Sequence, residues 1–234
     1  MKVHGMDPER VARVVAALAV GEADPQQSLC AASAALVGVD GAGLVLVSGG
    51  RTLGNVCVSD PRAEAVEEVQ YLMGEGPCMD AVQTKAPALA PDLAAPDLVR
   101  WPGFCTGAAA AGVRAAFGFP LLVGPACIGA LDLFRVEPGD LTDEQFEDAV
   151  AVAYVAGRTV VSWQLGARHG SVAWQLEQVP AHRAVVHQAT GRVSVQASVS
   201  VDDALTLLRA YAFAEDRPIS DVARDVADGR LRFD

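Results

Sequence analysis

Between His182 and Leu231 the chain carries three helical stripes in succession, and these constrain its fold more than any other feature. Val201, Ala204, Leu205, Leu208, Tyr211 and Ala212 recur at the i, i+3, i+4, i+7 spacing that puts apolar side chains on one helical face. Ser200 precedes them and Asp203 follows it by three, so a hydroxyl and a carboxylate can serve the free N–H groups of a first turn. After the turn Glu215-Asp216-Arg217 a further helix is predicted from Pro218, whose ring suits a first helical position. Its stripe is Ile219, Val222, Ala223 and Val226, and Gly229 ends it. Ahead of both, residues 181–197 read as a valine-rich helix with Gly191 in its interior. A glycine there costs about 1 kcal/mol against alanine, which suggests that another surface comes close. Three short amphipathic helices that must bury their stripes on one another specify a bundle.

In this segment HQATG (187–191), DDALTLLRAYA (202–212) and RPISDVARDV (217–226) stand in order, and the pattern resembles the ANTAR domain, the RNA-binding module of transcription antitermination regulators. The resemblance implies a three-helix bundle behind a sensor domain, binding paired hairpins with hexanucleotide loops in nascent RNA so that a terminator does not form. Upstream, GEGPCMDAV (74–82), RWPGF (100–104) and GVRAAFGFPLLVGPACIGALDLFR (112–135) resemble the GAF domain, specifically that of actinobacterial GAF-ANTAR proteins. The expected organisation is a GAF-like sensor over 1–166, a linker over 167–180 and an ANTAR-like domain over 181–234. Trp174 and Leu176 would dock the linker.

The fold class expected is α+β. Helices are predicted over 7–19 and 25–37, a buried-type strand over 42–49, its partner over 51–58 and a helix over 61–72, which Gly74-Glu75-Gly76-Pro77 separates from a short helix at Cys78. One short strand lies within the proline-rich stretch 86–103, followed by a helix over 104–111. Residues 113–123 and 126–135 form a hairpin through Gly124-Pro125. The closing helix opens on a Thr142–Gln145 capping box and carries a small-residue face at Ala149, Ala153 and Gly157. That face either covers its own sheet or packs across a two-fold axis, and the second reading gives the expected homodimer.

Composition sets limits on the chemistry. Among 234 residues, 51% are hydrophobic, ample for packed cores. No apolar run reaches membrane-spanning length, and the N-terminal alanine-valine stretch is broken by Asp7, Glu9, Arg10 and Arg13, so an amphipathic helix in a soluble, cytoplasmic protein is expected. Five widely spaced cysteines, with no CxxC pair, favour neither a disulfide framework nor a structural zinc site. The net charge of −11 opposes phosphate binding by the chain as a whole, yet it divides unevenly, −9 before residue 171 and −2 after it. RNA contact therefore depends on local arginine clusters.

The resemblance implies RNA contact by Arg183, His187, Gln188, Thr190, Gly191 and Ser194 on the first helix of the bundle. Arg209, Tyr211, Arg217 and Arg224 are the candidate guanidinium and aromatic planes on which splayed loop bases would stack. The chain departs from the family at Thr190 and near Gln196, where many members are basic. DNA is not an expected partner, because 218–228 sets Asp221, Asp225 and Asp228 against Arg224 alone. For the GAF-like half, Tyr71, Cys78, Trp101, Phe104, Cys105, Phe119, Cys127 and Asp132 are candidates to line a small-molecule pocket, aromatic rings with a few polar groups. None of His4, His169, His182 and His187 lies in those segments, so a haem-ligating histidine is not expected, and the sequence specifies no cofactor, no metal site and no catalytic residue. Two alternatives remain, a dimeric interaction module without RNA binding, and a redox enzyme like the GAF-fold free methionine sulfoxide reductases, with Cys78 and Cys105 as its thiols. The enzyme would need a lowered thiol pKa.

Overall fold

The computed structural model describes residues 7–18, 25–48, 51–95, 100–166, 181–215 and 217–233. The chain divides into two compact units, Met1–Arg168 and His169–Asp234. The linker residues Trp174 and Leu176 lie outside the described residues.

The first unit is built on five antiparallel strands, β1 (Gly41–Ser48), β2 (Arg51–Val58), β3 (Ala88–Ala90), β4 (Ala115–Val123) and β5 (Ala126–Arg135), in the order β2-β1-β5-β4-β3. Alternation along the strands sends Ala42, Leu44, Leu46, Phe117, Phe119, Leu121, Leu131 and Leu133 to one face. Three helices cover that face: α1 (Pro8–Leu18), α2 (Pro25–Val37) and α6 (Asp143–Gly166). The other face, with Ala116, Ala130, Asp132 and Phe134, lies under α3 (Pro61–Met73), α4 (Pro77–Thr84) and α5 (Pro102–Ala110).

Helix starts follow local chemistry. Asp60 accepts from the N–H groups of Arg62 and Ala63 at 2.8 and 3.1 Å and caps α3, which ends at Gly74 with φ 68°. The predicted box at α6 forms: the Gln145 side chain accepts from Thr142 N at 3.1 Å, and Thr142 Oγ1 accepts from Gln145 N at 3.2 Å. Gln145 Nε2 also donates to the Val37 and Gly38 carbonyls, tying α6 to the end of α2. Arg10 pairs with Glu147 and Asp148, and Arg13 with Asp148 at 2.6 Å, which fastens α1 along α6.

Three expectations change. Cys30 on α2 and Cys57 on β2 form a disulfide, where the cysteine spacing had favoured none. The spacing misleads because the pair is made by α2 folding back over β2, a contact between elements 27 residues apart. Ala149, Ala153 and Gly157 are buried, and a side chain added at Gly157 would meet Leu121 of β4 at 3.5 Å, so the small face of α6 is spent on its own sheet and does not carry the homodimer. Finally α5 begins at Pro102, with Trp101 as its N-cap in the left-handed region at φ 58°.

The second unit contains α7 (Ala181–Gln196), α8 (Val201–Ala214) and α9 (Ile219–Ala227). Val186, Ala189 and Val193, with Ala204, Leu208, Ala212, Ile219, Val222, Ala223 and Val226, form its buried core. Ser200 caps α8 by accepting from Asp203 N at 3.1 Å. Pro218 stands one residue earlier than predicted, as the N-cap of α9, and Val201 is 41% exposed at the first position of α8, outside the stripe expected of it. Arg192 donates to the Val226 and Ala227 carbonyls and so satisfies the C-terminal end of α9.

Candidate nucleic-acid interface and buried acidic centre

Helical periodicity decides what α7 shows. The buried residues Val186, Ala189, Thr190 and Val193 lie at i, i+3, i+4, i+7, and the opposite stripe, Ala184, His187, Gln188, Gly191, Arg192 and Val195, is exposed. Two of the residues expected to touch RNA therefore turn inward. Thr190 is 4% exposed and its hydroxyl donates to the Val186 carbonyl at 2.7 Å; Ser194 is half-buried and donates to the Val199 carbonyl at 2.7 Å. A threonine that satisfies its hydroxyl on the preceding turn can enter an apolar stripe without an unpaired donor, which is why it sits in the core.

Gly191 is the centre of the exposed stripe. A Cβ built there meets no atom within 4 Å, so nothing inside the bundle requires a glycine. What it provides is a bare strip of helical backbone flanked by His187, Gln188 and Val195, the last 80% exposed. Arg183 belongs to α7, but its side chain lies outside the described residues.

Three arginines on and beside α9 are engaged. Arg217 bonds Asp225 at 2.6 Å, Arg224 bonds Asp221 at 2.8 Å, and Arg230 bonds both Asp225 and Asp228 at 2.8 Å. Asp225, between Arg217 and Arg230, is held below the usual aspartate range by those two hydrogen bonds. Tyr211 is half-buried with Phe233 edge-on at 5.4 Å, so one side of its ring is occupied. Arg209 is half-buried on α8, whereas Phe213, which the sequence reading passed over, is 83% exposed there. Periodicity could have singled out Phe213, since it falls outside the apolar stripe of α8.

In the first unit the candidate pocket residues separate by face. Phe119 points toward α6, packed on Phe146 with ring centroids 5.6 Å apart, and so belongs to the opposite core. Trp101 and Phe104 meet edge to face at 6.2 Å in the cluster under α5, Arg100 lies 4.3 Å over the Trp101 ring, and Cys105 packs at its margin. Tyr71, Cys78 and Asp132 are buried on the α3–α4 side, and Cys127 is half-buried, its thiol donating to the Gly129 carbonyl at 3.3 Å.

Asp132 marks the middle of that side. Its cross-strand neighbours are Gly43 and Gly118, and the room the two glycines leave is filled by other groups: a Cβ at Gly43 would lie 2.1 Å from Glu67 Oε1, and one at Gly118 would lie 2.5 Å from the Pro77 carbonyl oxygen. Two glycines thus let α3 and α4 settle onto the sheet. Glu67 (2% exposed), Gln70 (3%) and Cys78 (2%) then converge on Asp132 (1%). Gln70 Oε1 accepts from Cys78 N at 3.0 Å, replacing the side-chain cap that Gly76 cannot give α4. Neither Asp132 oxygen makes a hydrogen bond of ordinary geometry; Glu67, Cys78 and Gln70 are the polar groups facing it. Burial pushes the Asp132 carboxyl up to about 7, against weaker lowering by Glu67, Cys78 and Gln70. Glu67 and Gln70, three apart on α3, were not found by sequence reasoning. The legible signal was a lone aspartate in the apolar run ALDLF, while its glycine partners follow only from the strand register.

Burial, and after it the charge of Asp132, drives the Cys78 thiol well above its ordinary value, and burial followed by Glu75 raises that of Cys105. This opposes the thiolate chemistry the redox-enzyme alternative requires. Among the described residues no group of three His, Cys, Asp or Glu side chains is placed to hold a metal ion, and no helix is long and apolar enough to cross a membrane.

Residues 19–161 match the GAF domain family. The chain belongs to that family. Residues 174–226 match the ANTAR domain, so the chain combines a GAF domain with an ANTAR domain. The GAF domain of an Acinetobacter phosphoenolpyruvate-protein phosphotransferase is 14% identical, with a TM-score of 0.52 over 69% of this chain and 96% of that one. The corresponding domain from Coxiella burnetii is 12% identical, with a TM-score of 0.50 over 68% of this chain and 94% of that one. At these identities the likeness establishes the fold alone. A type II free methionine-R-sulfoxide reductase from Thermoplasma acidophilum gives a TM-score of 0.40 at 14% identity, too loose a likeness to bear on chemistry. No curated protein sequence matches the chain.

Proposed function

We propose that the chain is a transcription antitermination regulator that binds paired hairpins in nascent RNA through its ANTAR domain under the control of its GAF domain. The observation that carries this reading is the exposed stripe of α7 centred on Gly191. A helix that keeps an interior glycine with open space above it is built for close approach by something outside the bundle. Gln188 and His187 beside it offer hydrogen-bonding groups to loop bases or the sugar-phosphate chain. The ion-paired Arg217 and Arg224 are reserves, available to phosphates by exchange of a carboxylate partner. The GAF domain takes its small-molecule ligand on the α3–α4–α5 side of the sheet, and such a regulator works in the cytoplasm as a dimer.

The test is a gel shift at low salt with a two-hairpin RNA carrying hexanucleotide loops. The wild-type chain shifts it, and Gly191→Leu, whose side chain enters open space and leaves the fold intact, weakens binding about tenfold or more, the equivalent of at least ~1.4 kcal/mol. Absence of any shift, or wild-type affinity in Gly191→Leu, refutes the reading.

A further inference from the structure

The disulfide between Cys30 and Cys57 joins two elements whose attachments differ. Their Cα atoms are 5.8 Å apart. Cys30 lies on α2, which packs under the sheet beside α1 and α6, and is fully buried; Cys57 lies on β2 and is 7% exposed. β2 stands at the end of the sheet and pairs with β1 through a ladder broken by two register shifts, after Leu44 and after Leu46. An edge strand with an interrupted ladder is held by fewer backbone bonds than a central one. The sulfur bridge is the covalent anchor of that strand. Cys78, Cys105 and Cys127 remain free thiols.

We propose that Cys30 and Cys57 form a reversible redox couple, a modification site through which the GAF domain reads small-molecule disulfide oxidants by docking or releasing its edge strand. The couple closes in two exchange steps. Cys57, on the edge strand and the more exposed of the two, attacks as thiolate one sulfur of a low-molecular-weight disulfide; a mixed disulfide forms and one small thiolate leaves and takes up a proton. Cys30 then gives its proton to solvent and attacks Cys57 Sγ, and the second small thiolate leaves. Two protein thiols lose two electrons, and one small disulfide becomes two thiols. A reducing thiol attacking Cys57 Sγ runs the sequence backward. The regulatory meaning rests on the RNA output proposed above, because nascent RNA is found where thiols are kept reduced and where disulfides are characteristically transient. The sulfur chemistry stands without it.

The experiment equilibrates the full-length chain in glutathione buffers of varied ratio, alkylates it under denaturing conditions, and maps the cysteines by mass. A Cys30–Cys57 link that forms and disappears with the ratio, with Cys78, Cys105 and Cys127 alkylated throughout, is the expected result. Hydrogen exchange on the same two states is expected to show residues 51–58 exchanging faster on reduction, on the order of a hundredfold from the lost loop constraint, while β4 and β5 hold. Cys57→Ser should exchange fast in both buffers; if that variant fails to fold, the comparison of oxidised and reduced wild type decides. Alkylation of both cysteines at every ratio, a link that no native-state buffer reduces, or equal exchange in the two states overturns the couple. The gel shift in the same two buffers separates the readings: no RNA binding in either removes the output reading and leaves the couple standing, while equal RNA affinity in both, with the couple titrating, overturns its regulatory role.

Discussion

Asp132→Asn tests the acidic centre most directly. In the unfolded chain an aspartate titrates near its ordinary value, about 3.9, whereas in the fold burial pushes Asp132 up to about 7. Between those values the folded chain holds a proton that the unfolded chain has released, so stability falls as pH rises through this window and levels off above the folded value. About three pH units at ~1.36 kcal/mol each give a cost on the order of 4 kcal/mol above pH 7 that is absent near pH 4. Asparagine keeps the shape and carries no charge, so it removes the slope. Facing groups work on the same balance: Glu67 from α3 is the other carboxyl, and the Cys78 thiol from α4, itself driven up, stays protonated beside it. Relaxation of Glu67 toward solvent discounts the figure, and about 3 kcal/mol is the expected gain for the variant at pH 8. For a domain of this size that is roughly a 6–12 °C rise in Tm. Thermal unfolding followed by circular dichroism at pH 5 and pH 8 on both chains reads it. An equal change in Tm between the two pH values for wild type and Asp132→Asn refutes the assignment of the buried proton to this centre.

Gly191→Ala should move stability and RNA binding in opposite directions: the bundle gains about 1 kcal/mol in denaturant unfolding because alanine meets open space in a helix interior, and the gel shift weakens. Ser200→Ala removes the oxygen that accepts from Asp203 N and should cost the bundle about 1 kcal/mol by the same unfolding assay. Gly118→Ala drives a methyl against the Pro77 backbone carbonyl, which cannot rotate away, and should cost about 2 kcal/mol; Gly43→Ala meets only the movable Glu67 side chain and should cost less, an order that urea unfolding of the two variants checks.

What the sequence disclosed follows the range of the interactions. The caps at Ser200 and Thr142, the hairpin of β4 and β5 and the stop at Gly229 are written within a few residues, and they form as read. Thr190 was misplaced although its register was visible: Val186, Ala189, Thr190 and Val193 share a helical face, and the family resemblance and the polarity of threonine were set above that periodicity. The acidic centre needs strand register, because Gly43 and Gly118 become partners of Asp132 only when β1 and β4 flank β5. The Cys30–Cys57 bond needs the path of α2 over β2, which no local pattern encodes. Arg217 and Arg224 read as free cations in a linear sequence because their carboxylate partners, Asp225 and Asp221, meet them only through helical geometry and the turn before α9.

The two faces of the sheet hold different chemistry, and β4 joins them. Gly118 rests under the start of α4 beside Cys78, while its neighbours Phe117 and Phe119 point to the opposite face, where Phe119 meets Phe146 of α6. Asp132 on β5 pairs with Gly118 of β4, the strand that packs under α6, so its protonation reaches through one cross-strand pair the layer covered by the helix from which the chain continues toward the ANTAR domain. The disulfide acts on that layer from the other end, through α2, whose C-terminal carbonyls are bound by Gln145 at the start of α6. Two inputs converging on one helix should be energetically coupled, whereas independent sites add. A double-mutant cycle between Asp132→Asn and Cys57→Ser, read as unfolding free energy at pH 8, distinguishes the cases: a coupling energy beyond about 0.5 kcal/mol shows that the two sites communicate, through α6 or through β1, where Gly43 pairs with Asp132 and Leu44 with Cys57, and strict additivity separates the buried proton from the disulfide.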